Sequence, residues 1–121
     1  MKLSLETRNR GDVFVVHCQG RIVYRDEAAA LSRVVGEVLD QGGKVILDLS
    51  GVTSIDSAGI GELVFLHTRA HSQKADLKVA GPSPIVRELL DLTNLDSVLD
   101  IHPNLNDAMA AFRFSELCAD C

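Results

Sequence analysis

Between Val45 and His71 the chain changes its period, and that change restricts the fold more than any other feature of the sequence. Val45-Ile46-Leu47-Asp48-Leu49 is a nearly continuous apolar run after Gly42-Gly43, as expected of a strand covered on one face or both. From Ile60 to His71 the apolar residues recur at helical spacing instead, with Ile60, Leu63, Val64, His67 and Ala70 on one side. A strand therefore leads through a turn into a helix. Asp56 and Ser57 stand in the N-cap region of that helix, where short polar side chains satisfy unpaired N–H groups.

The glycines at this junction need a reason. Gly59 and Gly61 fall in the first turns of the helix, where each costs about 1 kcal/mol relative to alanine. Glycine removes the side chain where a partner surface or a phosphate must approach the backbone, and a helix N-terminus offers N–H groups and the positive end of a dipole. A phosphate added to the Ser57 hydroxyl is tolerable at such a place. Capping alone accounts for Asp56-Ser57 with no function attached, but it leaves the glycine pair unexplained.

The flanking sequence repeats the strand and helix pattern. Leu3 to Thr7 alternates, Arg8 to Asp12 reads as a turn, and Val13 to Cys18 is a second apolar run, which together predict a β-hairpin. Arg25 to Asp40 predicts a helix with Ala28, Leu31, Val34, Val35, Val38 and Leu39 on one face, stopped by Gln41-Gly42-Gly43. Asp76 to Ala80 predicts a short strand, and Ser83-Pro84 predicts a helix start with Ile85, Val86, Leu89 and Leu90 as the apolar stripe. Asp96 to Ile101 reads as a last strand, and Asn104 as the cap of a final helix carrying Leu105, Ala108, Met109 and Phe112. Strands alternating with helices of this length predict crossover connections and a largely parallel sheet. Functional residues of such sheets gather at the carboxyl ends of the strands, where Asp56-Ser57 falls.

Composition removes several classes of function. The 121 residues suit one domain, and no apolar run approaches the roughly 20 residues that span a bilayer. Nor does the sequence after Met1 lead into a signal-peptide apolar region, so the protein is expected in the cytoplasm, with no direct membrane insertion. A net charge of -5 without a lysine and arginine cluster argues against nucleic acid, as does a 4% aromatic content without tryptophan. Protein partners are the better expectation. Cys18, Cys118 and Cys121 are an odd set that fits a reduced compartment, and Cys118 and Cys121 read as part of a solvated tail rather than a redox or zinc site.

No catalytic residue, metal ligand or cofactor is expected. His67 and His71 are four apart on one helical face, but the Glu of a zinc-binding helix is absent and the face is expected to point inward. Ile55 stands where a nucleophile elbow would place its first glycine, and no phosphate-binding Gly-x-x-x-x-Gly-Lys loop exists. A helical wheel over Ser57 to Gln73 centres the apolar side near Leu63 and His67 and leaves Ala58, Glu62, Phe65, Leu66, Arg69 and Gln73 on or beside the outward side. Phe65 and Leu66 are then candidates for a partner contact, unless they tuck against a neighbouring helix.

The run from Asp48 through Ile55-Asp56-Ser57-Ala58-Gly59-Ile60-Gly61-Glu62-Leu63 closely resembles the signature of STAS domains, the anti-sigma-factor antagonist family of bacteria. The resemblance spans roughly residues 3–114 and implies a single α/β domain over 1–121, with an N-terminal hairpin joined to a largely parallel sheet of about five strands and about four helices, and 115–121 as a flexible tail. It implies a switch in which an anti-sigma factor with serine-kinase activity is the partner and phosphorylates Ser57, a serine phosphatase being a further partner. The surface so implied comprises Asp56, Ser57, Ala58, Gly59, Gly61, Glu62, Phe65, Leu66 and Arg69, with Arg21 and Tyr24 from the turn after the second strand. That turn reads Gly20-Arg21-Ile22-Val23 where relatives usually carry Gly-Glu-Leu/Ile-Asp, and Ala58 stands where many carry Ser or Thr. The alternative is a STAS docking subunit of a transport or sensory assembly, with Ser57 serving only as a cap.

Overall fold

A computed structural model describes residues 3–41 and 43–117, with side chains as far as Phe112. The elements are β1 (Leu3–Arg10), β2 (Val13–Ile22), α1 (Tyr24–Leu39), β3 (Lys44–Ile55), α2 (Ser57–Ser72), β4 (Asp76–Ala80), α3 (Pro84–Leu92), β5 (Ile101–His102) and α4 (Leu105–Leu117). They form one five-stranded sheet in the order β1-β2-β3-β4-β5, with β1 antiparallel to β2 and every other pair parallel. The α/β architecture expected of the chain is therefore present. The hairpin turns at Gly11-Asp12, with Gly11 at a φ of +67°, and its strands run longer than the apolar alternation marked.

Sequential strand order leaves α1, α2 and α3 on one face of the sheet. There Leu31, Val35 and Leu39 of α1, Leu63 and Leu66 of α2, and Val86 and Leu90 of α3 bury against Val16, Val45, Leu47, Leu49 and Val79. A smaller core on the opposite face joins Ala108 and Phe112 of α4 to Val13, Val15, Ile46 and Ala80. β3 is covered on both faces around Ile46. Cys18 is a buried thiol, and its burial pushes its pKa up to about 12.

Four local expectations are corrected. The turn expected after Leu49 is strand: β3 continues to Ile55, pairing with β2 alone after Asp48. The last strand is short, because Leu95–Ser97 forms a 3-10 turn that buries Leu95, and only Ile101 and His102 pair with β4. Ser83 holds the N-cap position of α3 and Pro84 opens the helix, as expected, but the Ser83 hydroxyl makes no cap bond and donates instead to the Val52 carbonyl at 2.6 Å. Ile85, placed in the apolar stripe, is 53% exposed beside the buried Val86. Asn104 does cap α4, accepting the Asp107 N–H at 2.8 Å, and α4 continues into the stretch expected as a tail. Gly42, part of the expected stop after α1, lies outside the described residues, as do Cys118 and Cys121.

Candidate functional site

The carboxyl ends of β2 and β3 finish side by side, with Ile22 paired to Ile55. Two strand-to-helix junctions are thereby brought together, β2 into α1 and β3 into α2. Asp56 ties them. Its N–H donates to the Ile22 carbonyl at 3.3 Å, one carboxylate oxygen accepts the Gly59 N–H at 3.1 Å, and the other accepts the Tyr24 N–H at 3.0 Å. The Tyr24 and Gly59 N–H groups, in that order, hold the Asp56 carboxyl below the ordinary carboxylate value. A cap was legible at this position; its second attachment, to α1, was not, because the partner stands 32 residues away in the sequence.

Ser57 is the first residue of α2 and is exposed. The cap is Asp56, so the Ser57 hydroxyl is not engaged in capping.

The two glycines behind it differ. A Cβ on Gly59 would lie 2.4 Å from the Ile22 carbonyl oxygen and 2.6 Å from Ile55 Cγ1, so Gly59 is required by the close approach of α2 to the end of β2. It is buried, and the reading of Gly59 as an opening for a partner is corrected to an internal packing role. A Cβ on Gly61 would meet nothing within 4 Å, and Gly61 is exposed. No contact within the described residues calls for glycine there.

Leu66 is also corrected. It is fully buried, and the inward side of α2 is Gly59, Leu63, Leu66 and Ala70. The apolar side is turned from His67 toward Leu66, because Ile60, Val64 and Phe65 make the helix apolar nearly all round and leave its inward direction poorly marked. His67 is half-buried and His71 exposed, so this pair does not share an inward face. Among the described residues no group of three or more metal-ligating side chains forms. Phe65 is 54% exposed, and Ser57, Gly61, Phe65 and Thr68 form the outward stripe.

The remaining candidates separate by what they touch. Arg69 is bound within the molecule: its guanidinium makes hydrogen bonds of 2.8 and 3.0 Å to the two carboxylate oxygens of Asp40 and lies on Gly36, where a Cβ would come within 2.5 Å. Gln73 adds a 2.9 Å bond to the same carboxylate, fastening the end of α2 to the end of α1. Glu62 is half-buried, with one carboxylate oxygen enclosed and without a hydrogen-bond partner among the described residues. Ala58 is half-buried. Arg21 is half-buried at the end of β2, where the pairing register with β3 slips. Tyr24 is 67% exposed with a φ of +66°, while Glu27 of the same turn is buried.

The arrangement is a surface and not a cleft: an exposed hydroxyl, an open glycine and exposed aromatic rings around two helix starts. Residues 4–108 match the family model described as STAS domain. A Thermotoga maritima protein with the provisional name of anti-sigma factor antagonist is 35% identical over 81 residues, which cover 66% of this chain and 72% of that protein. The crystal structure of an anti-sigma factor antagonist from Mycobacterium paratuberculosis aligns at a TM-score of 0.78 and 26% identity, covering 92% of this chain and 94% of that one. SpoIIAA, solved in its unphosphorylated form, shares the fold at a TM-score of 0.71 and 18% identity over 92% of this chain and 96% of that one. Its phosphorylated form aligns at 0.66 and 16% identity over 91% and 98%.

Proposed function

The chain belongs to the STAS domain family, and on that premise we propose that it is an anti-sigma-factor antagonist controlled by phosphorylation of Ser57. Unmodified, it binds an anti-sigma factor that is also a serine kinase and so releases a sigma factor. Phosphorylated, it lets that partner go, and a serine phosphatase restores it. The chain works as one unit, in the cytoplasm, and catalyses nothing itself.

The observation that carries this reading is the division of labour at the start of α2. Asp56 satisfies the helix end, and the exposed Ser57 hydroxyl beside it has no part in the cap. In the transfer, the Ser57 oxygen attacks the γ-phosphorus of the kinase's nucleoside triphosphate. The bond to the diphosphate leaving group breaks, and the hydroxyl proton passes to a base on the kinase. The product carries roughly -1.5 to -2 additional charge next to Asp56. At an exposed helix N-terminus this costs the fold little, because the dipole and the N–H groups favour an anion. Pressed into a partner's surface, the same charge must be desolvated beside a carboxylate, and binding weakens. Gly61 and Phe65, one and two turns further along the outward stripe, complete the contact: the glycine admits the partner close to the helix and the ring anchors it.

Intact-mass measurement and site mapping of the protein from its own cells, before and after phosphatase, test the assignment. An increment of about 80 Da, the mass of one phosphoryl group, that maps to Ser57 and is absent from a Ser57→Ala variant is the expected result. An unmodified Ser57 across growth and stress conditions would sink the switch and leave the constitutive docking role.

A further inference from the structure

Tyr24 has a backbone conformation that its position does not require. Among the described residues three that are not glycine have positive φ: Tyr24 at +66°, Lys74 at +57° and Asn94 at +61°. Lys74 and Asn94 directly follow the C-caps of α2 and α3, where a left-handed residue is a common way to end a helix. Tyr24 stands at a helix start, where no stop motif applies. For a bulky side chain this region is a genuine outlier, and it persists only where the surroundings hold it. The hold is visible: the Tyr24 N–H donates to Asp56 at 3.0 Å, and Asp56 is the residue before Ser57.

The geometry points to Tyr24 as a second reporter of the state of Ser57, with the Asp56 carboxylate as the positioning group that links them. This inference rests on the reading of Ser57 as a phosphoryl acceptor. Asp56 uses its two oxygens on two different helices, Oδ1 on the start of α2 and Oδ2 on the start of α1. A phosphoryl group on Ser57 is a stronger anion at the same helix end. It competes for the N–H groups of the first turn of α2 and repels the adjacent carboxylate. Pushed out of its bridge between the two helix starts, the carboxylate no longer compensates the left-handed backbone at Tyr24, which relaxes and carries the exposed ring with it. Phosphorylation then alters the recognition surface at two places on two helices, whereas a bare charge effect would alter it at one.

The chain is suited to the test, because Tyr24 is its single tyrosine and it has no tryptophan. Full-length protein carrying phosphoserine at position 57, installed by genetic code expansion, is compared with the unmodified chain and with Asp56→Asn. Tyrosine fluorescence anisotropy and amide hydrogen exchange are followed in each. In the phosphoserine chain the Tyr24 amide is expected to exchange about tenfold faster, as for the loss of one hydrogen bond to a charged group. The tyrosine anisotropy falls, while the amides of Val45 to Leu47 keep their protection. Asp56→Asn gives the same change without phosphate. Tyr24→Gly, whose backbone is unstrained at this φ, still loses the protection at position 24 when Ser57 carries phosphate, because the acceptor itself moves. A Tyr24 amide and anisotropy that do not respond to phosphoserine in an intact fold would overturn the link. Because the phosphate is installed directly, that failure is distinct from finding Ser57 unmodified in cells.

Discussion

The two sides of α2 obey different rules although they alternate along one helix. On the inward side, Gly59, Leu63, Leu66 and Ala70 are each determined by what they press against, and Gly59 is glycine because the Ile22 carbonyl occupies the place of its Cβ. On the outward side, Ser57, Gly61, Phe65 and Thr68 are exposed, and Gly61 gives up helix stability with no neighbour requiring it. A glycine in a helix is thus ambiguous until its surroundings are known: one of this pair serves the core, the other leaves room.

Substitutions at neighbouring positions separate the two sides. Leu66→Ala empties a fully buried position and should cost about 2–5 kcal/mol in urea unfolding, whereas Phe65→Ala, one residue earlier, should stay within about 0.5 kcal/mol. Equal losses at both would remove the distinction. Gly59→Ala should cost roughly 1–3 kcal/mol from overpacking against β2. Gly61→Ala should do the reverse, stabilising by up to about 1 kcal/mol through helix propensity while weakening capture of the proposed anti-sigma partner. A destabilised Gly61→Ala would place a structural demand on the outward side.

The smallest expected effect concerns acid. Asp56, bonded by Tyr24 and then Gly59, and Asp40, bonded by Gln73 and then Arg69, are both held below the ordinary value of 3.8. Burial would push Asp48 up, but the bonds from Ser50 and His17 outweigh it and hold it down too. A carboxyl depressed in the folded state stabilises above its unfolded pKa, and that contribution is lost as pH falls through the folded value. Stability should therefore be level above pH 3.8 on account of these groups and decline below it. Asp56→Asn should make the decline shallower, and urea midpoints measured from neutral pH downward check this.

Much of the fold was legible because local rules and tertiary structure agree. The hairpin, the crossover pattern and the Asn104 cap follow from period and capping chemistry. Misreadings arise where the deciding contact is distant. Nothing near Leu66 tells it from Phe65 when both are apolar and adjacent; the sheet beneath decides. The Asp56 bond to Tyr24 and the Arg69 pair with Asp40 join residues 32 and 29 apart, which spacing within one element cannot show. Val98 and Leu99 fell inside the expected last strand, yet the 3-10 turn before them leaves Val98 exposed and Leu99 buried without a ladder.

β3 outruns β4, and this bears on solubility. From Leu49 to Ile55 it pairs with β2 alone among the described residues, so its other edge presents backbone groups that no described strand takes up. Such an edge is a template on which chains join and aggregate. Ser83 covers it at one point through the Val52 carbonyl. Ser50, Gly51, Thr53 and Ser54 break up the apolar, tightly interdigitating pattern that cross-β stacking rewards. The residues that made this stretch look like a turn are also the ones that make it a poor template for an aggregation seam.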